Sequence, residues 1–197
     1  DRRVEQHADR DEEQHRERIA QRQRVGGGLV AEIGFGENHA GEERALRRRH
    51  AQAVITLFTK VDEDRWEGRI GVDPGIALLE PDLDNAREAV GWLLENDHLG
   101  AVTLAPGLFY GFTYDRYEDC RRLWEATEAV LDEGMPLRVR AHWAMKASHF
   151  WNNDNANGRT LRLAQTAISA YRELGERRGL LLASAYHLMA ASAADRT

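Results

Sequence analysis

Cysteine is almost absent from this chain: Cys120 is the single one among 197 residues. One thiol cannot make a disulfide within the chain, nor can it build a multi-cysteine metal site. It stands among Tyr117, Leu123 and Trp124 on a predicted helix, which reads as a core thiol rather than a nucleophile. Apolar runs long enough to cross a bilayer are missing, and no signal-peptide pattern opens the chain. The first residue is Asp1 rather than a methionine, so an upstream segment removed or never included is expected. A positive balance is lacking as well, since 27 Lys and Arg face 33 Asp and Glu for a net charge of -6. A nucleic-acid binder needs a basic face to replace phosphate counterions, so that class is disfavoured. The basic run at 44–50 follows Glu37, Glu42 and Glu43 and reads as a solvated helix face. Also absent are a Ser/His/Asp hydrolase elbow, a Gly-rich nucleotide fingerprint and an HExxH helix. What remains is a chain of 42% hydrophobic and 30% charged residues, in the globular range and long enough for one domain. The expectation is a cytoplasmic protein with a small-molecule partner, without nucleic acid or membrane.

Residues 1–28 stand apart. Their only apolar members beyond alanine and glycine are Val4, Ile19 and Val25, and no aromatic is among them. Such a segment buries too little surface to offset its ordering entropy, so a charged extension, helical or disordered, is expected up to Gly26-Gly27-Gly28. A single α/β domain is expected over 29–197. Its predicted strands are the apolar runs 29–35, 53–58, 68–72 and 100–105, with Asp73-Pro74-Gly75 and Pro106-Gly107 as stops. The segment 136–143 alternates strictly, Leu137, Val139 and Ala141 against Arg138, Arg140 and His142, and reads as another strand. Predicted helices cover 42–52, 84–95, 115–133 and 159–174, with Gly134 and Gly175 as stops. The run 179–186 fits either form. This rhythm of strands and helices predicts an α/β fold with a partial, TIM-barrel-like parallel sheet of five or six strands, short of eight.

In such a fold ligands gather beyond the carboxyl ends of the strands. His142 lies at such an end, suited to ligate a metal or move a proton near neutral pH, or to sit hydrogen-bonded at an edge. Glu32 either faces the same space or lies on an exposed edge. The densest polar cluster runs from His149 to Arg159. There His149 and Asp154 could act as base and metal ligand, while Asn157, Gly158 and Arg159 open a helix whose free N–H groups attract anions. The plainer alternative is an Asn-rich loop capped by Asn157.

Two resemblances overlie these readings. Residues 62–143, with DRWEGRIGVDPG, LGAVTLAPG, RRLWEATEAVLDEG and MPLRVRAHW, resemble the middle of amidohydrolase-superfamily metal-dependent hydrolases. The family's first-strand His-x-His pair has no counterpart here, and Arg140 stands where its Pro-led strand carries a histidine. That resemblance implies a metal-activated water attacking a C–N or similar bond, with His142 as a ligand to a divalent metal, zinc above all. Residues 141–188, with AHWAMKASHF, NGRTLRL and LLLASAYHL, resemble Fic-domain AMP-transferases, whose core is helical. Here the implied roles are His149 as base, Asp154 as magnesium ligand, Asn157, Gly158 and Arg159 as phosphate cradle, and Arg162 on a further phosphate. The span from His149 to Asn157 is two residues longer than in that family. The primary expectation is the hydrolase, with nucleotidyl transfer to a protein hydroxyl as the alternative. A third is a non-catalytic module that docks through its charged N-terminal segment. Secondary structure over 136–147 separates the first two, because a Fic domain makes it a helix.

Overall fold

The computed structural model describes residues 38–112, 117–153 and 157–194, and every regular element among them is helical. The α/β expectation, with its barrel-like sheet, is therefore corrected: no strand occurs among the described residues. The extension 1–28, the run 29–35 with Glu32, and Asp154 lie outside them. Two compact units divide the chain, Asp1–Glu42 and Glu43–Thr197. In chain order the helices are α1 (Asn38–Trp66), α2 (Val72–Leu79), a 3-10 turn (Glu80–Asp82), α3 (Leu83–Asn96), α4 (His98–Phe112), α5 (Tyr117–Ala129), α6 (Leu137–Asn153), α7 (Asn157–Leu174) and α8 (Arg177–Ala194). None is long and apolar enough to cross a membrane.

Each misread strand has a physical reason. The run 53–58 belongs to α1, where Ala51, Val54, Ile55, Phe58, Val61 and Asp62 are buried. That spacing is one stripe of a 3.6-residue helix, visible only in a window longer than the run itself. Residues 100–105 belong to α4, the innermost helix, which packs against α2, α3, α5 and α6. Ala101, Val102, Leu104, Ala105, Leu108 and Phe109 are all buried, and a helix enclosed on most sides shows no clear polar face to reveal its period. The segment 136–143 begins α6: Pro136 offers its carbonyl to the Val139 and Arg140 N–H groups at 3.0 and 3.2 Å. Proline suits a helix start, because it has no N–H to leave unbonded there. Beyond it Ala141, Ala144, Met145 and Ser148 are buried at helical spacing, and that longer pattern overrides the short alternation. In 68–72, Gly68 closes α1 at φ 74° and Val72 already opens α2. The Asp73-Pro74-Gly75 signal falls within the first turns of α2, where a proline again costs little.

The helical expectations over 84–95, 115–133 and 159–174 correspond to α3, α5 and α7. Gly175 does end α7, at φ 69°, with Gly175 N–H bonded to the Arg172 carbonyl and Glu176 N–H to that of Tyr171. This is the left-handed glycine cap in its two-bond form. Cys120 is wholly buried, and burial pushes its thiol up to about 12, as a core cysteine behaves. The basic run at 44–50 lies on α1 and is largely exposed.

An aromatic core ties α4, α5 and α6 together. Trp124 meets Trp143 edge-on at 5.5 Å, and Phe150 packs against Trp151 at 5.0 Å. The Trp143 indole N–H donates to Thr127 Oγ1 at 2.9 Å, so the buried polar edge of that ring is satisfied. Helices α7 and α8 then pack on the same α6. Of the candidate residues, His142 and His149 lie on α6, and Asn157, Gly158, Arg159 and Arg162 on α7.

Candidate functional site

On α6, residues 142, 146 and 149 are spaced i, i+4, i+7 and fall on one side of the helix. His142, Lys146 and His149 thus make a titratable stripe about 10 Å long. At its start, His142 Nε2 lies 2.6 Å from Asp62 Oδ2 of α1, and Nδ1 lies 3.3 Å from Tyr171 Oη of α7. Lys146 Nζ donates to the other Asp62 oxygen at 2.6 Å. Asp62 and Lys146 are both almost fully enclosed, their side chains 7% and 6% exposed. Burial by itself would raise the Asp62 carboxyl. The His142 hydrogen bond and the Lys146 charge outweigh it and bring the group down to about 2. Asp62 is therefore ionised at neutral pH and holds the imidazole with Nε2–H toward itself. Burial raises the Tyr171 hydroxyl above its ordinary value. The expected metal ligand His142 thus has both ring nitrogens engaged by protein groups.

Seven residues on, His149 is sandwiched between aromatic rings, stacked on Tyr186 of α8 at 4.5 Å and tilted against Phe109 of α4 at 5.1 Å. Burial, and then the charge of Lys146, lower it to about 4. It is a neutral imidazole at pH 7, as a general base must be. Its Nδ1 is buried with no hydrogen-bond partner, and so are Trp151 Nε1, Asn152 Oδ1 and Thr160 Oγ1. These four atoms lie on the end of α6 and the first turn of α7. Each unsatisfied group costs about 1–3 kcal/mol.

The expected anion cradle begins α7. Asn157 and Gly158 are its first residues, and the Arg162 Nη1 lies 3.8 Å from where a Cβ on Gly158 would stand. Arg162 is exposed and reaches back over the helix start. Arg159 is already engaged: its Nη2 pairs with Glu128 of α5, and its guanidinium lies 3.7 Å from the Trp151 ring centroid. Among the described residues no three His, Cys, Asp or Glu side chains converge as metal ligands do.

Sequence reading singled out the two histidines, Asn157, Gly158, Arg159 and Arg162. It missed Asp62, Lys146, Tyr171 and Glu128, which lie against them. Lys146 had a signal, its i+4 and i−3 spacing to the histidines, once 136–153 is taken as helical. Comparison with protein-family models, curated proteins and solved structures gives no match.

Proposed function

We propose that the α6–α7 junction transfers a nucleotidyl group, AMP in the first instance, to a protein hydroxyl in the manner of Fic domains. The supporting observation is the buried Nδ1 of the neutral His149, without a hydrogen-bond partner among the described residues, on the helix that leads to the N–H-rich start of α7. A polar ligand at His149 gives that nitrogen the partner it lacks. The continuous helix over 137–153 adds to this, because the helical core is what that resemblance implies. The hydrolase reading rested on a Pro-led strand ending at His142; that segment is helical, and the reading is not carried forward.

In the proposed step His149 takes the proton of the acceptor hydroxyl. The hydroxyl oxygen attacks the α-phosphorus of a nucleoside triphosphate, the bond from that phosphorus to the bridging oxygen breaks, and pyrophosphate leaves. The α7 N–H groups and Arg162 bind phosphate oxygens. Arg159 joins them only if it leaves Glu128. The divalent ion that the resemblance implies, magnesium, would depend on Asp154, which lies outside the described residues. The donors that are described do not form its site, so no step is routed through it. A small-molecule substrate is on this reading the nucleotide. Incubation with α-labelled ATP and analysis of the protein by mass spectrometry tests the proposal. Gain of an AMP mass by the chain or by an added protein, abolished in His149→Ala, is the expected result. No label with any of the four nucleoside triphosphates, with magnesium or manganese present, removes it.

A further inference from the structure

A cavity of about 150 Å³ lies between α1, α4, α6 and α7, beside the Asp62–His142 pair rather than at the α6–α7 junction. Space of that size takes a molecule of about the bulk of benzene. Its apolar walls include Val102, Pro106, Val139 and the rings of Trp66 and Tyr171. Those two rings lie nearly parallel, 6.3 Å apart with 24° between their planes, and Trp66 meets His142 edge-on at 5.3 Å. The polar groups are His142, Asp62, Glu63, Thr59 and, with Glu176, Arg138.

Charge decides what such a space prefers. Asp62 is compensated by Lys146 and hydrogen-bonded to His142. Glu176 is compensated by Arg138 at 3.0 Å. Glu63 is exposed and makes no ion pair among the described residues, so the lining carries one uncompensated negative charge. The indole of Trp66 already has a cation near it, the Arg178 guanidinium 5.6 Å from its ring centroid. Aromatic faces and a spare carboxylate attract a cation together, the first through the ring quadrupole and the second through its charge. His142 adds no free lone pair, since Nε2 faces Asp62 and Nδ1 faces the Tyr171 hydroxyl. The space therefore offers a cation the Trp66 ring and the Glu63 carboxylate.

We infer that this cavity is a binding site for a small planar organic cation of the amidinium or guanidinium class, held against the Trp66 ring and the Glu63 carboxylate. It stands apart from the proposed transfer chemistry and shares no residue with it. The probe is benzamidine, with neutral benzamide as its isosteric control, followed by NMR of the indole N–H signals and by calorimetry. Benzamidine should shift the Trp66 indole resonance, identified by its loss in Trp66→Phe. It should bind about tenfold more tightly than benzamide, the factor that one partly desolvated cation–π contact supplies. Glu63→Gln, an exposed change that leaves the core untouched, should narrow that preference, while His149→Ala should leave binding unchanged. Equal binding of probe and control, a preference unaltered in Glu63→Gln, or no saturable shift at Trp66 up to the solubility of the probe would each overturn the inference.

Discussion

Acidification should weaken this fold well above the range where carboxylates titrate, through His149. The imidazole is lowered from an ordinary 6.5 to about 4 by burial, with the charge of Lys146 adding to it. A histidine depressed in the folded state stabilises the fold above its unfolded value. That contribution is lost as pH falls through the folded value, because the unfolded chain then binds a proton that the folded chain refuses. The window runs from 6.5 down to about 4. By the linkage relation the loss is about 1.4 kcal/mol at about pH 5.5, and approaches about 3 kcal/mol once the folded form is protonated too. The assay is urea unfolding at a series of pH values across that window, for wild type and His149→Gln. Other histidines titrate in both proteins, so their contributions cancel in the difference. The curves should converge as pH falls, and the His149 ring signal should titrate near 4 by NMR. Parallel curves, or a His149 resonance titrating at its ordinary value, would refute the enclosed, unpartnered imidazole on which the proposed base rests.

Three further outcomes follow from the packing. Asp62→Asn removes the carboxylate that His142 and Lys146 share, and should cost about 2–3 kcal/mol in chemical unfolding; a loss under about 1 kcal/mol would mean that the pair is hydrated rather than buried. Gly107→Ala places a Cβ 2.9 Å from the Phe58 carbonyl oxygen and 3.0 Å from its carbon. Backbone on both sides yields poorly, so a loss of about 1–3 kcal/mol is expected, and an unchanged melting temperature would contradict the close approach of α1 and α4. Glu128→Gln releases the Arg159 guanidinium, so phosphate titration should shift the amide signals of 157–162 at severalfold lower concentration than in wild type. Identical titrations would leave Arg159 as a group that only fastens α5 to α7.

Local sequence by itself determined the ends and faces of several elements. Gly175 in the left-handed region, the apolar stripe of α3 and the Tyr117–Cys120–Trp124–Thr127 face of α5 were all legible, because each depends on neighbours within one or two turns. The polar cluster from His149 to Arg162 was legible for the same reason. Tertiary structure decided the rest. The runs 53–58 and 100–105 are short and apolar, and in isolation suit a strand or an enclosed helix equally; a longer window reveals the helical stripe of the first, and only the surround of α4 by other helices settles the second. In 136–143 an eight-residue alternation competed with a seventeen-residue helix, and the helix prevailed because Ala141, Ala144, Met145 and Ser148 go into the core together. Asp62 lies 80 residues from His142 in the chain, and Glu128 lies 31 from Arg159. No local pattern encodes such pairings. They exist because α1 and α5 are folded against α6 and α7, and it is there that Asp62 finds the histidine and lysine that hold it ionised against its burial.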